Sequence, residues 1–447
     1  MTNLQQILLA LGCSLLLSLA WLQQGMLVLA AGGLFLLPMV IRHAFWVCLG
    51  FIIFSYFRIH EAFPVLMPFR IPQLLALASL AGLGWQLWLN RERLQWHPLQ
   101  TYLLAFTGWV LVCCLLATNR SEAFANFNGN YIKIIIMVFA IAWLPTQLSQ
   151  LKRVPAFLLV CGVAIAILAI YNKANGIGLV EGTRVTISRD IGSMLGDPND
   201  LALVLQFPVS FALAYCFNGG KWQRITCALI LLILVAGVLA TQSRGGILGI
   251  GCGVFTILAL KTRSLVLPSA FTAMGGLALI ALAGISDRAS GGAAESGVDE
   301  SAMGRLYAWQ AAWRMAVDHP ITGVGLDNFY YNYYLYSSHW DGKNHAVHST
   351  WLQILSETGF VGLVLFLLMI IGALRLSYQL LRHCEPTSTP FAQGLWLGLL
   401  SFCVGGSFLT QGTTWPVYIL IGLLLAFYRL QHAENNPIAQ PARNVIQ

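Results

Sequence analysis

Asn344-His345-Ala346-Val347-His348-Ser349-Thr350-Trp351-Leu352-Gln353 closes the longest polar loop of a very apolar chain and runs directly into an apolar stretch over 349–373. A titratable imidazole therefore stands where a polar loop becomes a membrane span. Ser349 or Thr350 is available as the helix N-cap. The positive end of that helix disfavours imidazolium, so His348 is expected neutral at neutral pH, the form a general base needs. The alternative reading is an interfacial histidine that only hydrogen-bonds a loop carbonyl.

Working outward, the composition agrees with a membrane setting. The 447 residues are 57% hydrophobic and only 9% charged, against about 25% charged in soluble proteins. The expected fold class is all-α, a polytopic membrane protein with 12–14 transmembrane helices and one large, partly helical periplasmic loop. The apolar runs are 4–22, 26–41, 44–57, 72–89, 99–118, 131–147, 154–172, 200–217, 225–242, 246–260, 266–285, 349–373, 391–410 and 416–428. The first lacks a basic n-region and a small-residue cleavage site, so it reads as a retained span rather than a signal peptide. The chain reads as a single integral membrane domain over 1–447, with the large loop at 286–348 and a disordered tail at 430–447.

With fourteen spans both termini fall on one side. Placing them in the cytoplasm makes every short inside loop basic (Arg42, Arg91 and Arg93, Lys152 and Arg153, Lys221 and Arg224), as the positive-inside rule requires. The net charge of +8 then reflects topology, and no nucleic-acid partner is implied. The ten cysteines show no metal-ligand spacing, so neither a disulfide nor a zinc site is expected. His339 and His345 lie near His348, but no carboxylate stands at helical spacing to complete a metal site.

The outside arginines oppose the rule and need another explanation. Arg184, Arg189, Arg244 and Arg305 gather on the external face, where a planar fork suits bidentate phosphate binding. Arg244 also reads as a snorkelling anchor, ahead of the Gly245, Gly249 and Gly253 repeat of close helix packing. Arg184 and Arg189 show no local structural role. Asp197-Pro198-Asn199 is a turn and cap signal before the span from 200. Arg305, Trp309 and Trp313 share one helical face. Those aromatics, with Tyr330, Tyr331, Tyr333, Tyr334, Tyr336 and Trp340, read equally as an interfacial belt or a platform for sugar rings. Glu357 lies two and a half turns past His348. It either pairs with an arginine or orients the site indirectly. Gly359 and Gly362 permit close helix approach. The start of the large loop, 287–301, has a disorder-prone composition.

Taken together, Ser243-Arg244-Gly245, Arg305 with Trp309, Pro320-x-x-Gly323-x-Gly325-x-x-x-Phe329, and His348-Ser349-x-x-Leu352 with Glu357-x-Gly359-x-x-Gly362 resemble the O-antigen ligase and polymerase family. The segment from Arg189 through Gly192 to Asp197-Pro198-Asn199 resembles it with looser spacing. The resemblance covers roughly 180–365. It implies a metal-independent, cofactor-free glycosyltransferase of the bacterial inner membrane that works on the periplasmic face. The implied donor is an undecaprenyl-pyrophosphate-linked glycan, and the acceptor a lipid A-core sugar, another glycan or a protein. His348 would be the general base. Arg189 and Arg305, with Arg184 or Arg244, would bind the pyrophosphate, supported by His345 and Glu357, and displacement would invert the anomeric carbon. The spacing to Leu352 and Glu357 assigns the base to His348 rather than His345. Ligase is preferred over polymerase. A transporter of a lipid-linked glycan is the alternative from another class.

Overall fold

The computed structural model describes residues 40–89, 95–262, 265–282, 300–340 and 342–435. The predicted span 4–22, most of 26–41, most of the disorder-prone loop start and the tail beyond 435 lie outside the described residues.

The principal helices are α1 (Ala44–Tyr56), α2 (Ile71–Trp88), α3 (Pro98–Leu115), α4 (Arg120–Asn126), α5 (Ile132–Trp143), α6 (Val154–Ala174), α7 (Pro198–Asn218), α8 (Lys221–Thr241), α9 (Arg244–Thr262), α10 (Val266–Leu282), α11 (Glu300–Asp318), α12 (Phe329–Tyr336), α13 (Thr350–His383), α14 (Thr389–Gly405) and α15 (Trp415–Asn435). Among the described residues ten helical segments are long and apolar enough to cross a membrane, and α1 and α10 are shorter apolar helices. The protein is an all-α polytopic membrane protein; among the described residues there is one two-stranded hairpin, Leu179–Val180 (β1) against Arg184–Val185 (β2).

The starts of α7 and α13 follow the capping chemistry of the sequence. Asp197 accepts from the N–H groups of Asn199 (2.7 Å) and Asp200 (3.3 Å), and Pro198 fills the first turn of α7, where its missing N–H costs nothing. Ser349 caps α13. At the far end of α5, buried Arg429 of α15 donates to the carbonyls of Ala142, Trp143 and Pro145. That satisfies groups a helix terminus leaves open.

α7 is the axis of the bundle, packed against α6, α8, α9 and α14. Hydrocarbon offers no hydrogen bonds, so its polar side chains must find partners inside the protein. Gln206 donates to the Gly245 carbonyl at 3.3 Å. A Cβ at Gly249 would stand 2.4 Å from the Gln206 amide nitrogen. The glycine repeat of α9 thus makes room for a side chain of α7.

α13 is 34 residues long and broken at Gly359, whose φ is 69° and ψ −173°. A break frees carbonyls that need donors. Ser356 O accepts from Val324 N (2.8 Å) and Glu357 O from Gly325 N (3.1 Å), while Thr358 O accepts from the Trp109 indole at 2.9 Å. Phe360 N donates to Pro320 O at 2.9 Å. The Pro320–Gly325 turn is therefore a plug for the break. Gly323 and Gly325 are required there, because both have positive φ and a Cβ on either would sit within 2.3 Å of a neighbouring atom. Beyond the break, the run from Phe360 to His383 alone meets the about 20 residues a span needs. The Thr350–Thr358 segment belongs to the layer above.

That layer has its own small core. Ala308, Ala311, Ala312 and Met315 of α11 pack with Val324, Phe329 and Tyr333 of the α12 region and with Val347. The spacing i, i+3, i+4, i+7 is one helical face. Asn328 latches the layer to the α3–α4 corner by accepting from Asn119 N at 2.8 Å.

Candidate active site

The segment carrying His348 is held from both sides. Val347 is buried in the small core, and its carbonyl accepts from the Trp309 indole N–H at 3.1 Å. His348 has φ 49°, a left-handed conformation that costs a non-glycine residue about 1–3 kcal/mol and persists only when the surroundings enforce it. Here its N–H donates to Thr410 Oγ1 at 3.0 Å. Two residues on, Thr350 Oγ1 donates to Leu409 O (2.7 Å) and accepts from Gln411 N (3.2 Å). The loop between α14 and α15 therefore fixes the backbone that aims the imidazole.

His348 is half-buried. Burial lowers its pKa from the usual histidine value, and the cation of Arg305 lowers it further. Asp197 opposes this, whereas His345 and Arg184 add to it. The direction agrees with the neutral imidazole expected from the sequence, and burial is its largest cause. His345 sets its ring edge-on to Tyr333, centroids 5.4 Å apart.

Arg184 has the structural role that its local sequence did not reveal. Buried on β2, it donates to Asn199 Oδ1 at 2.9 Å and to Thr241 O at 3.3 Å, and its other nitrogen lies 3.6 Å from Glu181. Ser243 Oγ also donates to Asn199 Oδ1, at 3.0 Å. The Asp197–Asn199 turn and the Ser243–Gly245 turn are thereby tied into one node, 44 residues apart in sequence. Arg244 follows Ser243 and is exposed. Arg189 is exposed on a turn flanked by left-handed Ser188 and Gly192. Among the described residues its side chain has no hydrogen-bond or ion-pair partner. The structure thus gathers Arg305, Arg184, His345 and Asp197 around His348, and leaves Arg189 and Arg244 on the solvent edge.

Glu357 is buried and accepts from Gln353 Nε2 at 3.4 Å, while the backbone of Asp327 and Phe329 hydrogen-bonds to it. Its partners are an amide and backbone groups rather than an arginine. Gln353 in turn accepts from Gly412 N at 2.9 Å. The aromatic residues divide as well. Trp309 is neither belt nor platform, because it packs into the small core and holds Val347. Tyr333 is buried; Tyr330, Tyr331, Tyr334 and Trp340 are exposed.

Thr410, Gln411 and Asp200 were not singled out from the sequence. Gln411 Nε2 donates to Asp200 Oδ1 at 2.6 Å, joining the last loop to the start of α7. The polar run Thr410–Thr414 between two spans is its only sequence trace.

Residues 229–367 match the family described as O-antigen ligase. The matched range holds Arg244, Arg305, Trp309, His345, His348 and Glu357, and begins after Arg184 and Arg189. A Rickettsia conorii protein named as a polysaccharide ligase is 26% identical over 291 residues, covering 62% of this chain and 67% of that protein. The exopolysaccharide production protein ExoQ of Rhizobium meliloti is 25% identical over 291 residues, covering 61% of this chain and 64% of ExoQ.

Proposed function

We propose, for a chain that belongs to the O-antigen ligase family through residues 229–367, transfer of a glycan from a polyprenyl-pyrophosphate carrier, undecaprenyl in bacteria, to an acceptor hydroxyl. The observation that carries this reading is the set of groups facing His348: a half-buried imidazole held neutral beside Arg305, with Arg184 and Asp197 in range. His348 takes the hydroxyl proton as the acceptor oxygen bonds to the anomeric carbon. The bond from that carbon to the pyrophosphate oxygen breaks, its electrons leave with the pyrophosphate, and the anomeric centre inverts. Arg305, joined by Arg189 and Arg244 at the solvent edge, stabilises the departing charge with fixed guanidinium groups in place of a metal. Arg184 holds the Asn199–Ser243 node beneath them. The site faces the periplasm of an inner-membrane protein whose termini are cytoplasmic.

A lipid A-core sugar is the preferred acceptor, in line with the ligase name of the Rickettsia relative. The name of ExoQ favours a second reading, in which the acceptor is another lipid-linked repeat and the product a longer chain. The test is transfer by the purified full chain in nanodiscs, with labelled lipid-pyrophosphate glycan and each acceptor in turn. His348→Ala is expected to lower transfer by at least about 100-fold. Undiminished transfer by that variant would remove the proposed base. Activity lost in EDTA and restored by a divalent cation would overturn the metal-free mechanism.

A further inference from the structure

The helix that carries Arg305 and Trp309 has an outward face that the site does not use. The small core takes Ala308, Ala311, Ala312 and Met315. Away from it α11 exposes Leu306 (45%), Trp313 (52%) and Val317 (54%), and Ile321 (60%) continues the strip just past the helix end. At 100° per residue, Leu306, Trp313 and Val317 fall within about 40° of one another. Arg314 and Asp318 are exposed along one edge of the strip. A large apolar side chain exposed singly is ordinary, whereas an apolar strip with a polar margin marks an interaction surface.

Its surroundings select the occupant. The Trp313 ring stands edge-on to Phe360, centroids 6.0 Å apart at 89°, and Phe360 opens the spanning part of α13. The exposed face continues down that span through Val361, Val364 and Leu368. Beside it the end of α3 exposes Leu111, Leu115 and Leu116. The level of that end is fixed by Ala117, whose Cβ would lie 2.2 Å from a Cβ on Gly325. The strip is therefore continuous with the outer surface of two apolar spans. An amphipathic helix so placed buries its apolar side about 5–10 Å into the boundary between headgroups and acyl chains.

We propose that the C-terminal half of α11, with Ile321, is embedded in the bilayer leaflet that faces the His348 site. α11 is then a membrane-seated arm. Arg305 lies two turns before Trp313, about 12 Å along the axis, and its height is referenced to the headgroup layer. If the donor is lipid-linked, as proposed above, its phosphates lie in that same layer. The embedding stands independently of the donor.

The test uses the full chain in phospholipid nanodiscs, without donor or acceptor, so its outcome does not depend on transfer. The photoreactive residue p-benzoylphenylalanine replaces Val317 or Ile321 in turn. Val364 serves as the span control and Asp318 as the water-edge control. All four positions are outside the packed core, so the fold is retained. After irradiation, mass spectrometry reads the fraction carrying one phospholipid. The expected adduct yields at 317 and 321 match that at 364 within about twofold and exceed that at 318 by about fivefold or more. Yields at 317 no greater than at 318 would overturn the proposal. So would adducts formed with a second protein chain instead of lipid.

Discussion

The indole N–H of Trp309 and the carbonyl of Val347 meet at 3.1 Å, one residue before His348. That bond joins the helix bearing Arg305 to the segment bearing the imidazole. Trp309→Phe keeps an aromatic ring against the small core, though a smaller one, and removes the donor. The expected result is a fall in kcat of about tenfold with KM little changed, since a buried unpaired carbonyl costs about 1–3 kcal/mol. Steady-state transfer kinetics separate the two. An equal rise in KM would place Trp309 in substrate binding instead.

The pH profile of transfer reports the groups around His348. Its pKa is lowered, so the base is already neutral at neutral pH and activity is lost only as pH falls through that lowered value. Arg305→Gln removes a cation that disfavours imidazolium, and the acid limb is expected to move to higher pH. Asp197→Asn removes an anion that favours it, and the limb is expected to move to lower pH. Asparagine also caps helices well, so α7 is retained. Shifts of the same sign in both variants would contradict the arrangement.

Gly359 is required by geometry rather than chemistry. A Cβ there would lie 2.2 Å from Ile321 O, at φ 69°. Gly359→Ala is expected to destabilise the folded protein by at least about 1–2 kcal/mol, read as a lower apparent Tm in detergent. Gly108, an exposed glycine inside α3, has nothing within 4 Å of its would-be Cβ. Gly108→Ala is the matched control, expected to leave Tm unchanged or raise it.

Glu357 is predicted to act through structure. Glu357→Gln keeps an acceptor for the backbone at Asp327 and Phe329, and transfer within about fivefold of the parent is expected. Glu357→Leu strands those N–H groups, each at about 1–3 kcal/mol, and is expected to lower both yield and Tm. Loss of transfer by the glutamine variant at unchanged Tm would return Glu357 to the chemistry.

The spans were legible because hydrocarbon leaves a chain few choices: long apolar runs become helices, and polar residues collect where water is. The caps at Asp197 and Ser349 were legible for the same local reason. What the sequence withheld depends on contacts between distant segments. Nothing near Arg184 signals that Asn199 and Thr241 come within hydrogen-bond reach. Trp309 repeats at the spacing of Trp313, yet one faces inward to Val347 and the other outward to Phe360. Gln411 gains its meaning only when its loop folds over Asp200. The break in α13 was hidden because Thr350–Thr358 runs without a proline into the apolar stretch from Phe360.

That break has a mechanical consequence. A continuous helix of 34 residues would transmit any change of tilt along its whole length, and spans tilt to match bilayer thickness. At Gly359 the ladder is interrupted, and the upper turns are bonded instead to Val324 and Gly325. Both sides of the break are bonded to one turn, the lower through Phe360 N to Pro320 O. The turns that follow His348 are thus set by the layer above rather than by the helical ladder of the span.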